Sequence, residues 1–227
     1  MKLKTDHLWL TLKKIIKALN KSKADIQDFT RSIKEKEIDL ECIMAYKKFK
    51  KRKENRKRTV YLDGQNIAFE TNEYNKPKVF KAERIRTMAS YFVEKHHEVV
   101  LMIPQSRKWK LEKAGKWNEV AILADMEMDP HIKFMYTPSF QREDRSWDCY
   151  DDSFILKAST IEEGIVVSND KFNDIYRKTT DEQMKKQIKD RSLPFMFYKG
   201  KLLLPDDPCG KDGPSLKDFL CFPSSYV

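Results

Sequence analysis

The sequence predicts an α/β fold, a parallel sheet with helices on both faces, and three observations carry the prediction. Short apolar, β-branched runs alternate four times with helical patterns, the order that builds parallel sheets. Each run is closed by a breaker or an acid: Asp63-Gly64, Pro104, Pro138 and, after Ser168, Asp170. Acids placed where buried strands end lie on the edge where open parallel sheets bind ligands.

The elements follow in order. Residues 6–19 and 24–50 carry Leu and Ile at roughly helical spacing and read as a small N-terminal module of two or three helices. Residues 47–58 hold nine basic residues and one acid and form a linker or helix end, so the domain division is expected at 1–58 and 59–227. Thr59–Leu62 is the first strand, and 79–95 a helix with Val79, Phe80, Ile85, Met88, Ala89, Phe92 and Val93 on its core face. Glu98–Ile103 is the second strand. Asn118–Met126 is a helix capped by Asn118, and Lys133–Thr137 the third strand. Asp151–Glu163 opens a helix with two acids, favoured by the helix dipole, and Gly164 stops it. Ile165–Ser168 is the fourth strand, and a turn or helix begins at Asp170. A polar helix covers 181–191, and Lys199-Gly200 joins a hairpin.

Composition narrows the function classes. The net charge is +10. Residues 1–58 hold 19 Lys/Arg against 8 Asp/Glu, whereas 59–227 hold 26 against 27, so the positive excess is N-terminal. A polyanion could be drawn by the first part and processed by the second. The four cysteines form no C-x-x-C pair, which argues against a structural zinc site and a disulfide framework. No stretch reaches the roughly 18 apolar residues of a membrane span.

Three segments deliver acids: Asp63-Gly-Gln-Asn66, Asp151-Asp152, and Asp170 with Asp174. Gathered carboxylates repel unless a cation or proton neutralises them, and oxygen-only donors suit Mg²⁺ or Mn²⁺. Asp63 and Asp170 are expected to bind a metal or position a water, and Asn66 to orient a carboxylate or substrate oxygen without adding charge. Asp170 and Asp174, four apart, share a face if the segment is helical. Trp9, Trp117 and Trp147 read as packing residues. Spacing alone leaves nuclease and phosphatase both open. Candidate substrate contacts are Lys76 and Lys78 after the first turn, Ser106, Arg107 and Lys108 after the second strand, and Arg142 and Arg145 before the Asp151 pair. Cations beside Trp109 suit a phosphate backbone with stackable bases.

The ordered motifs Asp63-Gly-Gln-Asn-Ile-Ala68, Cys149-Tyr-Asp-Asp-Ser-Phe-Ile-Leu-Lys157, Gly164-Ile-Val-Val-Ser-Asn-Asp-Lys-Phe-Asn-Asp174 and the closing run Leu204 to Leu216 resemble the Regnase (MCPIP) group of NYN/PIN-like endoribonucleases. The resemblance covers about residues 59–220 and implies a three-layer PIN-like fold and Mg²⁺-dependent cleavage of single-stranded or stem-loop RNA. It implies that Asp63, Asp152, Asp170 and Asp174 form the metal-binding acidic site, with Asp152 nearest the ion, and that Asn66 and Asp151 support it. The Ser106-Arg107-Lys108 segment is similar to the family's basic loop and would touch RNA. Vertebrate members carry a zinc finger just after this domain. No such spacing occurs up to Val227, so RNA selection is expected without one, as in finger-less nematode relatives acting in RNA interference. The expected partners are RNA and either a second copy or other silencing or decay proteins, with no membrane. The expected location is the cytoplasm or its RNA granules, with nuclear entry permitted by the basic run. The competing expectations are a catalytically inactive RNA-binding scaffold and a partner-docking module.

Overall fold

Val60 and Leu62 point to one side of their strand and Tyr61 to the other, and all three are buried. A strand covered on both faces is a continuous apolar run, not an alternating one. The computed structural model describes residues 57–69, 78–142, 145–148 and 151–223, without the side chains of 140–151. These fall within one compact unit, Arg52–Val227. The expected N-terminal helical module lies outside the described residues.

The central strand β1 (Val60–Asp63) pairs in parallel with β2 (Val99–Pro104) and β6 (Ile165–Val167). Outside these lie β3 (Ile132–Thr137) and β7 (Ser192–Leu193), giving the all-parallel order β3-β2-β1-β6-β7. Between β3 and β6 the chain adds an antiparallel hairpin, β4 (Ser139–Arg142) and β5 (Arg145–Asp148). A second hairpin, β8 (Met196–Tyr198) with β9 (Lys201–Leu203), turns at Lys199-Gly200 as expected.

Helices close both faces. On one, α1 (Gly64–Phe69), α2 (Ala82–Glu94), α3 (Gln105–Lys113) and α4 (Trp117–Met128) contribute to a core with Val60, Leu62, Leu101 and Ile103. Ile85, Met88, Ala89 and Phe92 form the inward stripe of α2, each large side chain contributing about 1.5–3 kcal/mol by burial. On the other face, α5 (Asp151–Glu162) packs against α7 (Glu182–Asp190), with Ile155, Leu156, Met184 and Ile188 meeting Tyr61, Val100 and Val166. Between them in sequence runs α6 (Asn173–Lys178), and α8 (Leu216–Phe219) ends the described fold. The result is a three-layer α/β domain.

Several local expectations need correction. Ser106, Arg107 and Lys108, expected in a basic loop, lie in the helix α3, because the segment has no breaker between Pro104 and Gly115. Gly64 opens α1 instead of making a turn; a Cβ there would lie 2.8 Å from the Met102 carbonyl, so close approach requires glycine. The fourth helix starts at Trp117 with no side-chain cap from Asn118, and Trp117 is 64% exposed instead of packed. Val79 is half exposed. Arg58 is buried, donating to the Cys221 carbonyl at 3.0 Å and stacking on Phe222 at 4.5 Å, so the last linker residue is built into the domain.

Candidate active site

Order along the sheet reverses between β1 and β6, and a ligand crevice opens beyond the carboxyl ends of strands at such a point. Asp63 is the last residue of β1, and Ser168, Asn169 and Asp170 directly follow β6. Two segments more than 100 residues apart thus meet in the crevice.

Asp63 is nine-tenths buried. Its Oδ1 accepts from the Asn66 backbone N–H at 3.0 Å, which caps the first turn of α1. Its Oδ2 accepts from the Ser168 hydroxyl at 2.8 Å. The Ser168 oxygen in turn accepts from the Asp170 backbone N–H at 3.1 Å. The Asn66 side-chain oxygen accepts from the Asn169 N–H at 2.9 Å, a second strut between the same segments. Asn169 is itself fixed, since its amide donates to the Phe195 carbonyl and accepts from the Phe195 N–H, both at 3.0 Å. Two neutral donors, the Asn66 N–H and the Ser168 hydroxyl, thus help to orient a buried carboxylate.

Asp170 and Asp174 do not share a helix face. Asp170 Oδ1 accepts from the Phe172 N–H at 2.7 Å, forming a tight turn. Phe172 then takes a left-handed backbone, φ 49°, before α6 begins at Asn173. An aromatic residue there is an outlier, held because its side chain is fully buried beneath the sheet. Asp170 and Asp174 are both exposed.

Asp151 and Asp152 open α5. The C-terminal end of that helix abuts the amino edge of the sheet, where a Cβ on Gly164 would sit 2.8 Å from the Thr59 carbonyl. Twelve residues span about 18 Å, more than the four residues of β1. The helix therefore delivers its first residues to the carboxyl edge, the edge that carries Asp63. Asp152 is half-buried, and the Asp151 side chain is outside those described.

Hydrogen bonds thus join Asp63, Asn66, Ser168, Asn169 and Asp170, while topology alone places Asp152 and Asp174 on that side. Among the described residues no group of three or more His, Cys, Asp or Glu side chains gathers to hold an ion. The donor types nonetheless fit a hard cation, because the crevice offers carboxylates, amides and a hydroxyl. Sequence reasoning missed Ser168 and Asn169 as site members, since it searched for charge. The signal available was two short polar side chains between a buried strand and Asp170.

The candidate RNA contacts are scattered. Ser106 is buried, at 1% exposure, and accepts no place on the surface; its N–H donates to the Ser139 hydroxyl at 3.1 Å. Arg107 lies between Phe69 and Phe80, 4.8 and 5.6 Å from their ring centres, and donates to the Gln65 side chain. Lys108 faces Glu127 at 3.5 Å. Burial, first, and Glu127, which accepts from its hydroxyl at 3.2 Å, push Tyr136 up to about 12. Lys78 is exposed, and Lys76 lies outside the described residues. Arg142 and Arg145 face each other in register at the tip of the β4–β5 hairpin, with side chains not described.

Fold and site define a three-layer α/β domain with a buried carboxylate at the switch point of a five-stranded parallel sheet. Residues 56–218 match the family model of the Zc3h12a-like ribonuclease NYN domain, and the chain belongs to that family. It is similar to "Endoribonuclease rege-1" of Caenorhabditis elegans, 34% identical over 164 residues, covering 72% of this chain and 24% of the relative. The chain therefore spans about a quarter of the length of that curated relative. Among solved structures it is similar to the Arabidopsis thaliana nuclear protein-only RNase P 2. One such structure has a TM-score of 0.48 and 18% identity over 68% of this chain and 30% of that one. A second has a TM-score of 0.43 and 17% identity over 70% and 32%.

Proposed function

We propose that the chain is a Mg²⁺-dependent endoribonuclease that cuts single-stranded or stem-loop RNA. The observation that carries this reading is the hydrogen-bonded run from Asp63 through Ser168 to Asp170 at the switch point. Asp63, Asp152, Asp170 and Asp174 would hold the ion, and Mn²⁺ would suit the same oxygens. When bound, Mg²⁺ supplies Lewis-acid polarisation of a phosphodiester oxygen.

The protein's own part is positioning. Asn66 and Ser168 keep Asp63 in one orientation, and Asn66 also ties α1 to the segment after β6. Asp151, beside Asp152 at the start of α5, is proposed as a supporting acid. Lys76, Lys78, Arg107, Lys108, Arg142 and Arg145 are proposed to meet the RNA backbone, with buried Ser106 anchoring the helix that carries Arg107 and Lys108. The basic residues 1–58 would draw RNA to the domain.

Family membership supports the ribonuclease class. We further propose RNA decay or silencing in the cytoplasm as the setting, with RNA and a second copy or other silencing or decay proteins as partners. Cleavage of labelled single-stranded and stem-loop RNA, with Mg²⁺ or with EDTA, tests the reading; EDTA-sensitive cutting is expected. RNA binding without any cutting would favour a scaffold instead.

A further inference from the structure

Beside the carboxylates lies a cavity of about 410 Å³, within the roughly 300–1,000 Å³ typical of small-molecule sites. One wall is Asn169 and Asp170, continuous with the segment hydrogen-bonded to Asp63. The others come from Tyr176 of α6, Ile188 and Lys189 of α7, and Pro194. Ile188 is buried and gives an apolar floor, Tyr176 is half-buried, and Lys189 is exposed with its ammonium 5.2 Å from the Tyr176 ring centre. The Ser192 hydroxyl, also on the wall, donates to the Ile188 carbonyl at 2.9 Å, so its oxygen can serve only as an acceptor.

An aromatic ring, an aliphatic floor, a polar acceptor and a cation, adjoining acids that would handle a phosphate, match one nucleotide better than any of its parts. We propose that this cavity receives the base of the nucleotide next to the scissile phosphate, packed on Tyr176, with Lys189 on that nucleotide's backbone. The inference rests on the ribonuclease reading and adds a base subsite to it. The mechanism above makes no use of Tyr176, Ile188 or Lys189.

The test is binding of single-stranded RNA by the full chain carrying Asp63→Asn, with an abasic nucleotide moved through the RNA one position at a time. One position should weaken binding by about 5- to 150-fold, the range of base–aromatic stacking. Adding Tyr176→Leu, which keeps apolar bulk in the core, should weaken intact RNA by a similar factor and abolish the penalty at that position alone. Lys189→Gln should lower the salt slope by about 0.7. Equal affinity with and without Tyr176→Leu, additive losses at every position, or no RNA binding at all would overturn the subsite. Failure of the chain with Asp63 intact to cut any RNA would instead overturn the ribonuclease reading while the binding cycle still reports on the cavity.

Discussion

The Ser168 hydroxyl donates to Asp63 Oδ2 at 2.8 Å, joining the ends of two strands separated by more than 100 residues of chain. Both residues are buried, Ser168 at 2% exposure and Asp63 at 9%. The hydroxyl is a neutral donor that fixes one carboxylate oxygen in place. Ser168→Ala leaves a buried carboxylate oxygen and the Asp170 N–H without this partner. The expected result is a stability loss of about 1–3 kcal/mol in urea unfolding and a fall in RNA cleavage of about tenfold or more. Unchanged cleavage would mean that the hydroxyl is only a structural tie.

Asn169 links the site to the segment between β7 and β8. Its amide satisfies both the N–H and the carbonyl of Phe195, so Asn169→Ala leaves two backbone groups unpaired beside a buried ring. A loss of about 2 kcal/mol is expected from such vacated partners, read as a lower urea midpoint. Asn169→Asp keeps the acceptor and loses the donor, and should fall between the two.

Gly164 sets how closely α5 approaches the sheet. A Cβ would meet the Tyr61 ring at 2.7 Å and the Thr59 carbonyl at 2.8 Å. Gly164→Ala should destabilise by about 1–3 kcal/mol through overpacking. Gly115→Ala has open space around it and only its left-handed φ of 65° to strain it, so differential scanning calorimetry should show the smaller shift there.

His97 supplies a pH dependence. Burial lowers its pKa below 6.5, against the opposing hydrogen bond to the Arg58 carbonyl at 2.9 Å. Lys57 and Lys95 push the same way as burial. The unfolded chain therefore binds a proton before the folded one as pH falls. Stability from neutral His97 is complete above about pH 6.5 and is lost as pH drops through that value towards the lower folded pKa. Urea unfolding at pH 7.5 and 5.5 should show a smaller loss for His97→Gln than for the unaltered chain; an equal loss would assign the acid sensitivity elsewhere.

Much of the frame was legible because buried strands and amphipathic helices write periodic patterns. β1, β2 and β6 are apolar runs, and the α2 stripe of Ile85, Met88, Ala89 and Phe92 has helical spacing. What escaped was short or polar. β7 has two residues, too few for a pattern, and α3 is too polar to show a periodic face. Spacing places Asp170 and Asp174 on one face if the segment is helical, but no rule of spacing reveals that Phe172 turns left-handed between them. Asp63 was legible as a strand-end acid. Its partners were not, because Ser168 and Asn169 act through hydrogen bonds across the fold.

The central claim is that Asp63 is an acid of a metal-dependent ribonuclease site. Asp63→Asn keeps size and shape and removes the charge. Cleavage of a labelled single-stranded RNA by both proteins, in Mg²⁺ and in EDTA, measures it most directly. Mg²⁺-dependent cutting by the unaltered chain is expected, with a loss of about 100-fold or more in Asp63→Asn and RNA binding kept; cutting by Asp63→Asn at the unaltered rate would remove Asp63 from the site.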